Sequence, residues 1–501
     1  MTWDWDELVA GALVGTARRP PAVGTAVPAT ALGGALARID PGDPEGAVLA
    51  AGVVVGLYRQ AGVRPAVDEG PLPPTSRPEQ RARCSPAAAA RLDAMVTGRF
   101  RPVLPEWLGL AAAAGVLVLP DRLPSLLDVA TAHRDLRAAT VEVIGERGRW
   151  LAGLRPAWAW AAGAGDADAD KDAATWVAGT SAARRLLLRR LRATSPGAAR
   201  AVLESTWATE TPDDRAAFVA LLATGLSADD EPILEAALDD RRKEVRLAAA
   251  ELLWRLPGSR LGRRMADRAR PLVRIAGTPA QRIEAALPDE VDAAAARDGV
   301  VAKPPAGVGA RAWWLHQLVA ATPLSTWPDA LGHPPGRMVE LAAGSETGRL
   351  VRRAWASAAV HQGDPAWAEA LVDAEWVAEP ALLEALPNDV AVRVAIDRVV
   401  GHGLAPAVLD LLDHCPPPWG PGLSAVVVEQ VGAAVARPGR PGADAVALRG
   451  RLGELALRLD PSVTPAAVAV AADAGGWWSD VVGWFADLLT FRVEMREELP
   501  S

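Results

Sequence analysis

The sequence predicts an all-α chain: an α-solenoid of stacked helical hairpins with little or no β-sheet. Three observations carry this. Apolar residues recur at helical spacing in many short segments, while period-two alternation is largely absent. Alanine, leucine and arginine dominate and Ile, Asn and Tyr are scarce, a balance that favours helices over strands. Successive turns fall roughly 15–20 residues apart, so a pair of helices spans about 30–40 residues, the period of a helical repeat array.

The clearest hairpin is 229–259, DDEPILEAALDDRRKEVRLAAAELLWRLPGS. Ile233, Leu234, Ala237 and Leu238 fall on one side of its first helix. Val245, Ala248, Ala249, Leu252, Leu253 and Leu256 make the buried face of the second. Asp239 or Asp240 is placed to cap that second helix, and Pro257-Gly258 to stop it. An aspartate in the turn, then Val-Arg, then small residues and leucines resembles a HEAT repeat. Asp239, Asp240, Val245 and Leu252 are the positions that carry the likeness.

The other elements follow in order. A helical segment occupies 1–61: the acidic start Asp4-Trp5-Asp6-Glu7 suits a helix N-terminus, and Leu8, Val9, Ala12 and Leu13 form a stripe behind it. A second helix is expected at 45–61. The stretch 62–86, rich in proline and charge and containing Cys84, reads as an extended surface connector. A HEAT-like array is expected over 87–298, with helices at 87–97, 106–119, 123–133, 136–145, 181–193, 196–207, 212–225, 231–238, 243–256 and 261–275. Pro196, Pro212 and Pro232 each sit in a first turn, where a missing N–H costs little. The acidic stretch 162–172 reads as a solvated loop. GVVAKPPAGVG at 299–309 marks the best boundary. A second helical array fills 310–501 and ends in the amphipathic segment 477–498.

Composition excludes several functions. A net charge of −8 on 501 residues argues against a general nucleic-acid binder. Cys84 and Cys415 are too few and too far apart for a disulfide framework, which fits a reducing cytoplasm. No apolar run approaches the roughly 20 residues that span a bilayer, and the start MTWDWDEL does not read as a signal peptide. A soluble, cytoplasmic chain without membrane contact is expected. None of the three lysines follows the glycines of a P-loop, and GxSxG, HExxH and CxxC are absent. The six histidines stand one at a time, and His414 beside Cys415 lacks a third partner. No catalytic residue, metal site or cofactor is therefore predicted.

Arginine remains. The candidate binding residues are Arg184, Arg185 and Arg189 on one helix, Arg241, Arg242 and Arg246 at the repeat turn, and Arg263 and Arg264 beyond it. Arg190, Arg192, Arg200, Arg268, Arg270 and Arg274 extend the two basic helices. Gathered on one concave face, they would hold an acidic protein or a phosphate backbone. The plainer reading is that they pair with acids between stacked repeats, where exposed pairs contribute only about 0–1 kcal/mol each. The scarcity of lysine beside 19 tryptophans suggests a GC-rich genome, so neither residue type is diagnostic by number alone. Trp150, Trp158, Trp160 and Trp254 read as packing residues.

Five signatures in order, GTARRP, GERGRWLAGLRPAW, WVAGTSAARRLLLRRLR, LEAALDDRRKEVRLAAAELLWRLPGSRLGRRM and FRVEMREEL, resemble a mainly actinobacterial family of HEAT-like proteins without assigned function. Its members are encoded beside a SWIM zinc-finger protein, a MoxR-type AAA ATPase and a von Willebrand factor A protein. The resemblance transfers no catalytic residue. It implies a role alongside an ATPase-based assembly, with an AAA ATPase or von Willebrand factor A protein as partner. Stacked repeats leave an extended concave surface, so by analogy of fold the expected function is a non-enzymatic protein-interaction scaffold. The rival from another class is a nucleic-acid-acting enzyme of the HEAT-like DNA glycosylase type, which requires the arginine helices to converge on a groove floored by an acid and a tryptophan.

Overall fold

The computed structural model describes residues 5–18, 31–62, 74–162 and 169–499. They are helical almost throughout, with a single two-stranded sheet among the described residues. The chain divides into two compact units, Met1–Thr75 and Ser76–Ser501.

In the first unit, α1 (Trp5–Val14) and α2 (Ala31–Leu36) both pack on α3 (Pro44–Gly62). Leu8, Leu36, Ala47, Ala51 and Val55 form its core. Of the stripe expected on α1 only Leu8 is buried, and Leu13 stands 82% exposed. The reason is that α1 meets α3 along the edge holding Leu8 and Gly11, while its apolar residues run onto a second side. GTARRP lies between α1 and α2; its last two residues and 21–30 fall outside the described residues.

The described part of the 62–86 connector between its flanking helices, 74–85, runs without helix or strand and largely exposed, as expected, while 63–73 lie outside the described residues. The exception, in the second unit, is Cys84: from Ala82 to Cys84 the backbone pairs with Leu117 through bonds of 2.8 Å at each end, and Cys84 is buried. Burial raises the Cys84 thiol above its ordinary value, partly offset by backbone hydrogen bonds. Then come α4 (Pro86–Val96), α5 (Leu104–Ala113), α6 (Leu123–Ala132), α7 (Arg137–Val143) and α8 (Gly145–Leu154). The Ser85 hydroxyl caps α4 by accepting from the Ala88 N–H. Trp107 Nε1 donates to the Ala88 carbonyl at 3.1 Å and locks α5 against α4.

Seven helices follow: α9 (Ala169–Ala178), α10 (Ser181–Thr194), α11 (Pro196–Thr206), α12 (Pro212–Leu221), α13 (Glu231–Ala237), α14 (Lys243–Trp254) and α15 (Arg260–Ala269). The acidic loop expected at 162–172 is shorter than that, because α9 starts at Ala169, and 163–168 fall outside the described residues. The helix expected at 261–275 also ends early. Pro271 supplies no N–H to continue α15, and the chain passes through one tighter helical turn, Arg270–Leu272, before leaving the helix at Val273. The chain then forms a hairpin of β1 (Val273–Ala276) and β2 (Arg282–Ala285), with Val273 opposite Ala285. Four-residue strands are too short to show an alternation in sequence, and Arg274 lies on a strand rather than a helix.

The rest is α16 (Ala293–Arg297), α17 (Ala310–Ala320), α18 (Thr326–Leu331), α19 (Pro335–Ala343), α20 (Glu346–Gln362), α21 (Pro365–Glu375), α22 (Asn388–His402), α23 (Pro406–Asp413), α24 (Gly420–Val435), α25 (Ala443–Arg458), α26 (Thr464–Asp473) and α27 (Ser479–Glu498). Helices pack on their next-but-one neighbours: α10 on α12, α12 on α14, α22 on α24, α23 on α25, α24 on α26 and α25 on α27. This is how stacked hairpins bury faces that no hairpin buries alone, and one core runs from Cys84 to Leu499. The stretch 299–309 lies inside this unit, with Gly299 and Val300 buried.

Finally, α27 docks on α4. Phe491 meets Phe100 at 5.0 Å between ring centroids. Arg492 reaches Glu106 at 2.6 Å and donates to the Ala456 and Leu459 carbonyls at 2.7 and 2.6 Å. Arg91 pairs with Glu498 at 3.0 Å and with Glu494 at 2.8 Å. The FRVEMREEL signature is the strip that fastens the last helix to the first ones of the unit.

Candidate interaction surface

On α10, Leu187 and Leu188 face the core, which fixes the direction of every arginine around them. Arg184 lies 4.4 Å from the Trp176 ring centroid and pairs with Glu210 through both terminal nitrogens. Arg185 pairs with Asp214 at 2.8 Å. Hydrogen bonds from Ser181 above all, and from Thr211 and Arg185, hold the Asp214 carboxyl below its usual range. Arg189, one turn on, is exposed with no ion pair among the described residues. Arg190 pairs with Asp172. Arg192 is fully buried, bonded to Asp230 at 2.9 and 3.0 Å and to the Thr224 and Leu222 carbonyls at 2.7 and 2.9 Å. Arg200 adds a third bond to Asp230 at 2.8 Å. Burial by itself would raise the Asp230 carboxyl, but the hydrogen bonds from Arg192 and Arg200 outweigh it and leave it lowered.

At the repeat turn neither Asp239 nor Asp240 caps α14, contrary to expectation. The N-cap residue is Arg242, without a side-chain cap. Asp240 instead braces the turn itself, accepting from the Arg242 N–H at 2.8 Å and pairing with Arg215 of the preceding repeat at 2.7 Å. Asp239 accepts from Arg297 at 2.6 and 2.9 Å. Arg246 donates back to the Asp240 and Arg241 carbonyls at 2.8 and 3.1 Å. Val245 and Leu252 are buried as the repeat pattern requires. Arg241, Arg242 and Lys243 are exposed, and no ion pair of theirs occurs among the described residues.

Arg263 is exposed and donates to the Gly258 carbonyl at 2.9 Å. Arg264 turns the other way, onto Asp298 at 2.7 Å and Glu235 at 3.1 Å, and Arg268 joins Asp298 at 2.7 Å. Asp298 is buried. Desolvation pushes its carboxyl up, and the bonds from Arg264 and Arg268 more than reverse that.

The eight predicted residues therefore divide. Arg184, Arg185 and Arg264 are bound to acids and Arg246 to backbone, while Arg189, Arg241, Arg242 and Arg263 face solvent. What sequence reasoning missed are the acids: Glu210, Asp214, Asp230, Glu235 and Asp298. A signal for most of them existed. The separations 184–210, 185–214, 200–230, 264–298 and 268–298 are 26, 29, 30, 34 and 30 residues, close to one repeat.

A family model described as a family of unknown function, DUF5691, matches residues 7–499. The chain belongs to the DUF5691 family. Neither a curated protein nor a solved structure matches it. Among the described residues of this DUF5691 chain, no helix is long and apolar enough to cross a membrane, and no group of three or more His, Cys, Asp or Glu side chains is arranged to hold a metal ion.

Proposed function

We propose that this protein is a non-enzymatic, protein-binding scaffold whose partner presents an acidic surface to the repeat array. The observation that carries this reading is the exposed set Arg189, Arg241, Arg242 and Lys243, without an ion pair among the described residues, on a chain whose net charge is −8. Exposed cations standing apart from the internally neutralised arginines are available to steer and orient an anionic partner. The nucleic-acid alternative draws less support. Arg184, Arg185, Arg192, Arg200, Arg264 and Arg268 are each held by a carboxylate, so few of the arginines that would line a phosphate-binding groove remain free to hold one.

The family resemblance makes a MoxR-type AAA ATPase or a von Willebrand factor A protein the partner to test first, in an actinobacterial cytoplasm. The experiment is affinity capture from native lysate, with and without ATP, followed by mass spectrometry, using the wild-type chain and the Arg241→Glu/Arg242→Glu variant. Recovery of the ATPase or its von Willebrand neighbour by the wild type, lost in the folded variant, supports the scaffold. Recovery of nucleic acid alone, abolished by nuclease, replaces it with the nucleic-acid reading.

A further inference from the structure

Histidines that stand singly in the sequence meet in the structure. His316 on α17 and His361 on α20 both line a recess of about 360 Å³ between α14, α17 and α20, and a charge on His361 disfavours protonation of His316. The recess also contains Trp254 from α14 and Trp313 from α17, with Glu251 and Glu379 among its walls. Its size falls within the range of small-ligand sites, about 300–1,000 Å³.

The walls are fixed. Trp313 Nε1 donates to the Val301 carbonyl at 3.0 Å, and Gln317 closes on the same residue by accepting from its N–H at 2.7 Å and donating to its carbonyl at 3.0 Å. The backbone passes behind at Gly299, where φ is +96° and a Cβ would lie 2.4 Å from that of Ala250; only glycine fits there. The Trp313 and His316 rings stack 10° from parallel, and Trp254 lies 5.9 Å from His361.

The polar groups are less complete. His361 Nδ1 and Trp254 Nε1 are both buried without a hydrogen-bond partner, a condition folded proteins seldom tolerate without a reason. Burial is the main cause that lowers the pKa of both histidines; His361 and Arg353 add to it at His316, whereas at His361 Arg255 adds to it and Glu379 and Glu251 oppose it, and each is an uncharged imidazole at neutral pH. With its proton on Nε2, His361 offers Nδ1 as an acceptor. Glu379 accepts only a serine hydroxyl, from Ser357 at 2.9 Å, and Glu251 is tied only to the exposed Arg255 at 3.2 Å. No lysine or arginine lines the recess.

We infer that this recess binds a guanidinium group, presented by a small planar cation or by an arginine side chain of a peptide. Two carboxylates and an imidazole nitrogen offer acceptors, and indole faces offer a platform. A guanidinium, flat and with five donors in a rigid fork, suits both, whereas an ammonium uses only the charge. An anion would meet two carboxylates and no cation in the lining, the nearby Arg255 being already paired with Glu251. The unpartnered Trp254 N–H requires an acceptor, which a peptide carbonyl supplies after a small rotation of the indole. This inference is independent of the scaffold reading, since its probes need no protein partner.

The test is isothermal titration calorimetry on the full chain with agmatine, with acetyl-Ala-Arg-Ala-amide, with the lysine version of that peptide, and with inorganic phosphate. Alongside it, the His361 imidazole resonance is followed by NMR. Saturable binding of agmatine or the arginine peptide, shifting His361 and weakened about tenfold or more in Glu251→Gln and Glu379→Gln, is the expected result. Equal affinity for the two assigns the site to a free small cation; preference for the peptide assigns it to an arginine side chain. Both variants are checked for an unchanged thermal midpoint, and the two single variants keep the test open should one of them fail to fold. Absence of saturation at millimolar probe, equal binding of the lysine peptide, tighter binding of phosphate, or unchanged affinity in folded variants overturns it.

Discussion

Arg192 meets Asp230 through two hydrogen bonds of 2.9 and 3.0 Å, with neither side chain exposed to solvent. Arg200 shares the same carboxylate, so one acid ties together guanidinium groups of two successive helices. Removing it leaves a buried cation with only carbonyls for company. Asp230→Ala should cost about 3–5 kcal/mol, the range for breaking a buried pair from one side. Arg192→Met combined with Asp230→Ala should cost less than Asp230→Ala alone, because no charge is stranded. Urea denaturation of the two variants decides it: a loss below about 1 kcal/mol in Asp230→Ala would show the pair to be dispensable.

Stability should respond to mild acid through the histidines of the recess. Both His316 and His361 have folded pKa values below the ordinary one, burial being the main cause. The unfolded chain therefore binds protons first, as pH falls below about 6.5, and stability declines from there down to the folded values. The aspartates act lower. Asp214, Asp230 and Asp298 are held below their usual range, so the stability they contribute is complete above about pH 4 and is lost as pH falls through their folded values. Thermal midpoints measured between neutrality and pH 5 should fall in the wild type and flatten in His316→Gln/His361→Gln. An unchanged slope in that variant would remove these two residues as the cause.

Docking of α27 on α4 predicts a coupled response of segments far apart in sequence. Arg492 is almost fully buried and satisfies Glu106 and two carbonyls at once. Arg492→Ala should cost about 3 kcal/mol or more. Because Phe100 packs on Phe491 and Arg91 on Glu498, the loss should not stay in the last helix. Hydrogen exchange should speed up together in 86–113 and 479–498, and leave α13 and α14 as they were. Faster exchange confined to α27 would mean that the docking does not hold the first helices.

How far the sequence revealed this depended on the range of the interactions. Helices such as α14 were legible because Val245, Ala249, Leu252 and Leu253 repeat within one segment and all are buried. The β1–β2 hairpin was not, since four residues cannot display a period. Asp240 is legible in sequence as a turn residue, but not the work it does there, because its contact with Arg215 belongs to another repeat. Which of the arginines remain exposed depends on acids about one repeat away, such as Asp230 for Arg200 and Asp298 for Arg268. His316 and His361 lie 45 positions apart by their numbering, and only the packing of α17 against α20 brings them together. No local pattern encodes that.

The GERGRW signature owes part of its form to a single left-handed residue. Gly145 has φ +62°, and a Cβ there would lie 2.5 Å from Glu79 Oε2 and 2.8 Å from Leu117 Cδ1. Those same Glu79 oxygens accept from the Glu146 and Arg147 N–H groups at 3.1 and 2.8 Å, and so cap α8 from the connector side. Glu79→Ala removes only the cap and should cost about 1 kcal/mol. Gly145→Ala displaces the same carboxylate, crowds Leu117 and adds a left-handed non-glycine residue. It should therefore cost more than Glu79→Ala, by about 1–2 kcal/mol. Denaturant unfolding of both variants and their double gives the comparison. If the cap is lost in either case, the double should be little worse than Gly145→Ala alone; full additivity would mean that the glycine serves the turn alone and not the capping carboxylate.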